Sequence, residues 1–190
     1  MSFTESTMLP LGTKAPQFKL SDTVSGKTLS LDEIKSDKAT VIMFLCNHCP
    51  YVLHVNAGIV ALANDYQAKG VSFIGINSND AEKYPADSPN LMTELARNVG
   101  YTFPYLFDET QEVAKAFDAA CTPDFYIFDG DMRLAYRGRI DGSRPKNDLP
   151  VTGADLRAAL DAILRGEPVA EKQYPSGGCN IKWKVDNDEW

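Results

Sequence analysis

One feature constrains the fold of this chain more than any other: the pattern of a buried strand runs directly into a pair of cysteines. Residues 41–45 are all apolar, which is typical of a strand that is covered on both faces. The run ends at Cys46, and Cys49 follows three positions later. From Pro50 to about residue 69, apolar side chains recur at helical spacing. The sequence therefore predicts a strand, a C-x-x-C motif and a helix in direct succession.

The rest of the chain alternates between strand and helix patterns. Apolar runs predict strands over 71–76, 103–107, 124–128 and 134–138, and helical spacing predicts helices over about 90–99, after Thr110 and over 152–164. Residues 10–36 suit a hairpin, because prolines and glycines surround short apolar pieces. We predict one α/β domain over 1–190, with a core at about 15–165 and a mixed sheet flanked by helices. An amino-terminal hairpin extension and a carboxyl-terminal tail at 166–190 complete it.

The order of the predicted elements places the cysteines at one edge of the sheet. Parallel strands joined by helical crossovers have their carboxyl ends at the same edge, where loops form sites. Cys46 and Asn77 each follow such a strand, so we expect them to share that edge. The polar run at 77–80 is either a solvated turn or part of a substrate cleft there.

Composition narrows the classes of partner. The 190 residues include 26 acidic and 19 basic side chains, for a net charge of -7, so the field of the protein repels nucleic acid and anionic lipid. We expect no nucleic-acid and no membrane partner. The start of the sequence lacks a basic cluster followed by an apolar run, and no run of about 18 apolar residues occurs, so we expect a cytoplasmic protein. Four cysteines in a reducing compartment predict transient disulfides.

A C-x-x-C motif between a strand and a helix is specific for redox chemistry, because the spacing lets the two sulfurs close a small ring. We expect Cys46 to lie at the amino terminus of the helix, where unpaired N–H groups and the helix dipole stabilise a thiolate. Cys46 is therefore predicted to be the attacking sulfur. Cys49, one turn further into the helix, is predicted to resolve the mixed disulfide by attacking Cys46.

Four stretches of the sequence carry a resemblance to a known family: CNHCPY at 46–51, FPYL at 103–106, CTPDF at 121–125 and GCNIKW at 178–183. From about residue 15 to 164, the chain resembles the thioredoxin superfamily, and more closely its alkyl hydroperoxide reductase and thiol-specific antioxidant group. The resemblance implies a thioredoxin-like fold and thiol–disulfide oxidoreductase activity that uses no cofactor and no metal. It also implies a protein or small-molecule disulfide or thiol as substrate, and an electron donor that the sequence does not identify.

The same resemblance assigns substrate-binding residues. In thioredoxin-like proteins a proline in the place of Pro123 follows a cis peptide bond and faces the redox pair. Thr122 and Pro123 are then expected to pair with the backbone of a partner and to hold its cysteine near Cys46. Asn47, in the loop between the two cysteines, is expected to contact the substrate as well.

The motif departs from that of thioredoxin in two ways. Thioredoxin has W-C-G-P-C, whereas here Leu45 precedes the first cysteine and a histidine precedes the second. This histidine resembles that of strongly oxidising disulfide-forming proteins, so His48 is expected to stabilise the Cys46 thiolate and to raise the reduction potential. The strand at 41–45 also lacks the buried aspartate that accepts a proton in thioredoxin, so another group or water must serve Cys49.

Three other functions compete with thiol–disulfide exchange. A peroxiredoxin-like thiol peroxidase, an antioxidant enzyme, typically shows P-x-x-x-T-x-x-C, but Met43 stands in the threonine position here. A redox-inactive binding module would keep the cysteines as buried core side chains. A zinc site is disfavoured because structural zinc usually takes two close pairs of cysteines, and Cys121 and Cys179 are single and distant.

Cys121 and Cys179 are possible auxiliary redox residues. Cys121 begins a core strand, where a cysteine usually serves in packing. Cys179 lies beside glycines in the tail, so it is expected to be more mobile. It is the better candidate for a third redox sulfur, either passing electrons or forming a bond with Cys121.

Overall fold

The computed structural model describes residues 3–185. In chain order its strands are β1 (Phe3–Glu5), β2 (Lys19–Asp22), β3 (Thr28–Ser30), β4 (Ala39–Phe44), β5 (Ser72–Asn77), β6 (Tyr105–Phe107), β7 (Cys121–Thr122), β8 (Asp124–Asp129), β9 (Leu134–Gly138) and β10 (Gly177–Asn180). Its helices are α1 (Leu31–Ile34), α2 (Pro50–Gln67), α3 (Pro89–Val99), α4 (Glu112–Ala116) and α5 (Ala154–Leu164), and a short 3-10 helix spans Pro85–Asp87. Within residues 3–185, none of the helices has the length and apolar character needed to cross a bilayer.

Seven strands form a mixed sheet in the order β3-β2-β6-β5-β4-β8-β9. β4 lies in its interior, parallel to β5 and antiparallel to β8, and every residue of β4 is buried. The apolar run at 41–45 indicated this position, because a strand that is covered on both faces has no solvent-facing side chains. The predicted fold class, an α/β mixed sheet flanked by helices, is confirmed.

Helices cover the sheet on both faces. Val41 and Met43 of β4 belong to the core cluster that also contains side chains of α2 and α5. Ile42 and Phe44 point the other way and belong to the cluster that contains side chains of α1 and α4. The junction of β4 and α2 is therefore fixed by a packed core rather than by a free loop.

The predicted amino-terminal hairpin is present as β2 and β3, and it forms one edge of the central sheet. β2 pairs with β6, with Ser21 opposite Phe107 and Asp22 opposite Leu106. The buried carboxylate of Asp22 accepts a hydrogen bond from the Tyr105 N–H at 3.1 Å. Turn residues predicted the hairpin, but a pairing with residues so distant in sequence leaves no local pattern.

The carboxyl-terminal tail folds back into a second sheet, in the order β1-β10-β7. β10 is antiparallel to both neighbours. Ile181, just after β10, is only 1% exposed, whereas Trp183 is 38% exposed. Residues 186–190, the last five of the predicted tail, lie outside the described residues. The tail is therefore packed against the rest of the protein through Ile181.

Candidate active site

The two cysteines of the C-x-x-C motif lie where β4 leads into α2. α2 begins at Pro50, whose missing N–H costs little in the first turn of a helix. Cys46 and Cys49 are both reduced, and they are only 2% and 1% exposed. Asn77 ends the parallel neighbour, β5. Cys46 and Asn77 therefore share one edge of the sheet, as predicted.

The amino terminus of the helix acts on Cys49 rather than on Cys46, which corrects the sequence-based expectation. Cys49 is the N-cap residue of α2, and Cys46 lies before it. The pKa of Cys49 is lowered to about 5, chiefly by a hydrogen bond with Cys46, and also by Cys179 and the Val52 N–H, against the effect of burial. The same hydrogen bond, burial and the charge of Cys49 raise the pKa of Cys46 well above its usual value. When the pair loses one proton, the hydrogen bond holds the remaining proton between the two sulfurs, and Cys49 is the favoured thiolate.

Thr122 contacts both sulfurs of the pair. Its hydroxyl oxygen lies 3.3 Å from Cys46 Sγ, and its carbonyl oxygen lies 3.5 Å from Cys49 Sγ. The Thr122–Pro123 peptide bond is cis, as predicted. Thr122 therefore lies directly beside the two groups that would react.

A buried carboxylate holds the loop between the cysteines. Asp87 is fully buried and accepts a hydrogen bond from the Asn47 N–H at 2.9 Å. The side-chain amides of Asn77 and Asn79 donate to the same carboxylate at 3.1 and 3.0 Å. Asp87 was missed at the sequence level, because it lies in a proline-containing loop without a pattern that points to a site. The polar run at 77–80 is buried, and its two asparagines support the loop between the cysteines through Asp87, so it is not a solvated turn.

His48 also faces this carboxylate. Its Nδ1 lies 3.4 Å from Asp87 Oδ2 but lacks the alignment of a hydrogen bond, and its ring is half-buried. The polar contact of His48 is thus with Asp87 and not with the sulfur of Cys46. We expect His48 to act on the cysteine pair by offsetting the charge of Asp87.

The side chain of Asn47 is used within the protein. Its amide donates to the Ala86 carbonyl at 2.9 Å, and its oxygen accepts a hydrogen bond from the Tyr105 hydroxyl at 2.9 Å. Tyr105 is itself fully buried. Asn47, expected to contact substrate, has a side chain that fixes the loop, and Tyr105 is a further supporting residue that sequence patterns did not single out.

The chain's own tail covers the strand that precedes the cis-proline. β10 pairs with β7, with Cys179 opposite Thr122 and Asn180 opposite Cys121. Gly178 makes this approach possible, because a Cβ atom there would lie 2.0 Å from the Thr122 carbonyl oxygen. The backbone edge of Thr122, expected to receive a partner strand, is therefore occupied by β10.

The two remaining cysteines lie on opposite faces of this strand pair. Directly opposed residues of antiparallel strands share a face, so Cys179 lies on the side of Thr122 and Cys121 on the other side. Cys179 is within hydrogen-bonding reach of Cys49 and only 4% exposed, which corrects the expectation that it is mobile. The Cys121 thiol contacts the Pro123 carbonyl at 3.8 Å, and burial raises its pKa. A Cys121–Cys179 bond does not fit this arrangement.

The four cysteines do not assemble into a set of zinc ligands. Among residues 3–185, no group of three or more His, Cys, Asp or Glu side chains is arranged to hold a metal ion. Cys121 faces away from the other three sulfurs. The zinc alternative therefore gains no support from the geometry.

A mixed sheet with helices on both faces, a C-x-x-C motif at the start of α2 and a cis-proline beside the sulfurs define a thioredoxin-like protein. Residues 11–137 match the AhpC/TSA family. The chain belongs to this family, within the redoxin group of the thioredoxin superfamily.

Comparison with individual proteins agrees with this assignment. The chain is 62% identical to an uncharacterized conserved protein from Geobacillus kaustophilus, with a TM-score of 0.97 and 98% of each chain covered. It is 26% identical to the thiol-disulfide oxidoreductase ResA of Geobacillus thermodenitrificans over 77% of this chain and 78% of that protein. A secreted disulfide oxidoreductase of Mycobacterium tuberculosis shares the fold, with 16% identity, a TM-score of 0.60, and coverage of 77% of this chain and 96% of that chain.

Proposed function

We propose that this protein is a thiol–disulfide oxidoreductase that exchanges disulfides with a protein or a small thiol through Cys46 and Cys49. The observation that carries the proposal is the placement of Cys46 and Cys49 at the start of α2, with Thr122 within 3.5 Å of both sulfurs. The lowered pKa of Cys49 supports it. The similarity to ResA, which is named for this activity, supports the same class of reaction.

Cys46 is the attacking sulfur in this proposal. Cys49 is enclosed by the first turn of α2, Thr122 and Cys179. Cys46 is the first residue of the loop that carries the half-buried His48. Both sulfurs are almost fully buried, so the ground for this order is the position of Cys46 before the helix, at the start of the loop. The order of attack that the sequence suggested is kept, and its electrostatic reason is replaced by this position.

In each exchange the cysteine pair passes two electrons to the substrate disulfide. The Cys46 proton passes to the Cys49 thiolate, and the Cys46 thiolate attacks one sulfur of the substrate disulfide, whose S–S bond breaks and releases a thiolate. Cys49 then loses its proton and attacks Cys46, which frees the second substrate thiolate and closes the Cys46–Cys49 disulfide. The single proton of the reduced pair and a second proton from water end on the two substrate thiols, and the substrate is reduced by two electrons. A reduced thiol donor restores the pair.

Trapping a mixed disulfide tests the order of attack. A peptide with one internal disulfide is incubated with Cys49→Ser and Cys46→Ser, and the masses of the intact products are measured. Cys49→Ser is expected to accumulate a mixed disulfide through Cys46, and Cys46→Ser is expected to lose reduction of the peptide. Cys121→Ser, a buried cysteine on the other face, is the control and should behave as wild type. Trapping by Cys46→Ser and not by Cys49→Ser would reverse the order.

Peroxidase activity, the alternative considered from the sequence, receives no support from this site. Position 43 holds a buried methionine whose side chain lies in the core, so no hydroxyl is available there to orient a peroxide. We expect hydrogen peroxide to oxidise Cys46 no faster than it oxidises free cysteine. Stopped-flow mixing with peroxide measures this rate, and rapid stoichiometric oxidation would favour the peroxidase instead.

A further inference from the structure

Three sulfurs meet around one residue of the candidate site. Thr122 lies 3.3 Å from Cys46 Sγ through its hydroxyl and 3.5 Å from Cys49 Sγ through its carbonyl. Cys179 is its partner across the β7–β10 pair and belongs to the same core cluster as the other two sulfurs. The C-x-x-C pair therefore has a third thiol beside it, supplied by the tail.

The position of this third thiol is fixed by the second sheet. β10 is paired on both sides, by β1 and by β7. Before the strand, the Ser176 N–H donates to the Ser6 hydroxyl at 2.8 Å, and the Ser6 N–H donates to the Ser176 carbonyl at 2.9 Å. Ser176 also donates its hydroxyl to the Pro123 carbonyl. The tail is held on the cis-proline segment by these contacts, so Cys179 stays next to Cys49.

We propose that Cys179 is a third redox residue, which takes over the disulfide of the C-x-x-C pair by attacking Cys49. The proposal rests on the function proposed above, because it begins from the Cys46–Cys49 disulfide. The Cys179 thiolate attacks Cys49 Sγ, the Cys46–Cys49 bond breaks, and the Cys49–Cys179 bond forms. The proton of Cys179 ends on Cys46. The protein stays oxidised by two electrons throughout, so no further oxidant or reductant takes part.

A negative charge on Cys49 in the reduced protein disfavours the thiolate of Cys179. In the reduced protein, burial and the hydrogen bond with Cys49 raise the pKa of Cys179 to about 12, which keeps it protonated. Once Cys49 is part of a disulfide, it no longer carries a negative charge, so ionisation of the Cys179 thiol costs less free energy. Oxidation of the pair therefore removes two of the causes that raise the pKa of Cys179, while its burial remains.

Transfer of the disulfide has two consequences for the site. Cys46 becomes a thiol again, although the protein is still oxidised. The new bond also ties β10 to the N-cap of α2, which fastens the strand that covers Thr122. The oxidised protein thereby closes the backbone edge next to the redox pair until a donor reduces it.

Peptide mapping distinguishes the possible bonds. Cleavage after lysine and arginine places Cys46 and Cys49 on peptide 39–69, Cys121 on 116–133 and Cys179 on 173–182. The folded full-length protein is oxidised with an equimolar amount of diamide, quenched in acid, alkylated and digested. Wild type, Cys46→Ser, the double variant Cys46→Ser with Cys179→Ser, and Cys46→Ser with Cys121→Ser as the matched control are compared by mass spectrometry.

Cys46→Ser is expected to link peptide 39–69 to 173–182, because Cys49 and Cys179 remain. The link should be lost with Cys179→Ser and kept with Cys121→Ser, and it should appear in part of the oxidised wild type. Unlinked peptides in Cys46→Ser, or a link to peptide 116–133, would overturn the role proposed for Cys179. If wild type still closes the Cys46–Cys49 pair in that case, the proposed function stands. A linked Cys46→Ser protein beside a wild type that never closes the Cys46–Cys49 pair would refute the proposed function instead.

Discussion

At the scale of single residues, Asp87 sets the electrostatics of the redox loop. Its buried carboxylate is held by the Asn47 N–H and by the amides of Asn77 and Asn79, and it faces His48. After the hydrogen bond with Cys49 and after burial, the charge of Asp87 is a further cause that raises the pKa of Cys46. Asp87 therefore disfavours a thiolate at the pair, which favours the disulfide form.

Replacement of Asp87 by asparagine should make the pair more oxidising. Asp87→Asn keeps a side-chain oxygen as acceptor for the Asn47 N–H but removes the negative charge, so the reduced form is stabilised. A rise in potential of about 30 mV corresponds to ~1.4 kcal/mol for a two-electron couple. Equilibration with glutathione measures it, with exposed Asp65→Asn as the control. An unchanged or lower potential would contradict this assignment.

His48 should act in the opposite direction to Asp87. The polar ring of His48 faces the carboxylate at 3.4 Å and partly offsets its charge, so His48→Ala leaves that charge less compensated and should lower the potential of the pair. In the Asp87→Asn background the same substitution should have little effect on the potential, because the negative charge that His48 offsets is absent. Equal effects of His48→Ala in both backgrounds would show that His48 acts on the sulfurs independently of Asp87.

At the scale of secondary-structure elements, the sequence predicted the strand and the helix around the two cysteines but not the pairing of the tail with β7. The apolar run at 41–45 indicated β4, and helical spacing with Pro50 indicated α2, because burial and periodicity are local signals. The exact start of α2 decides which of the two cysteines lies at the helix terminus. Hydrophobic periodicity does not locate the start of a helix to within one residue. β10 is four residues long, contains two glycines and pairs with a distant segment, so neither alternation nor propensity reveals it.

The contact between β10 and β7 should depend on the absence of a side chain at Gly178. Its Cβ would lie 2.0 Å from a backbone oxygen, so Gly178→Ala must push β10 away from Thr122, at a cost of roughly 1–3 kcal/mol. We expect lower resistance to urea and faster alkylation of Cys46 and Cys49 by iodoacetamide. Gly142→Ala, where the nearest atom lies 3.7 Å away, is the control. Wild-type alkylation rates in Gly178→Ala would show that β10 does not shield the pair.

At the scale of the whole molecule, the second sheet joins both ends of the chain to the strand beside the active site. The buried Asp124, just after the cis-proline, accepts hydrogen bonds from Ser6 of the amino-terminal segment at 2.8 Å and from Tyr126 at 3.2 Å. Burial is the main cause that raises the pKa of Asp124 to about 7. Its ionisation therefore acts on the region where the two ends of the chain meet.

The raised pKa makes stability depend on pH in a defined window. The unfolded chain ionises this carboxyl near pH 4 and the folded protein near pH 7, so its contribution to stability is complete below pH 4 and is lost as the pH rises to about 7. The loss is of the order of 4 kcal/mol. Urea unfolding of wild type and Asp124→Asn across this range isolates the contribution, since the difference between them should change with pH and then level off. A constant difference would mean that Asp124 is ionised throughout.

The central claim, that Cys46 and Cys49 form one two-electron redox couple, is tested most directly by a redox titration of the Cys179→Ser variant, in which the disulfide cannot pass to the tail. The protein is equilibrated at a series of dithiothreitol ratios, quenched and alkylated, and the occupancy of each cysteine is measured by mass spectrometry. The account predicts that Cys46 and Cys49 lose their thiols together, with a tenfold change in equilibrium for about every 30 mV. Two thiols that persist at every potential, or that are lost independently of each other, would contradict it.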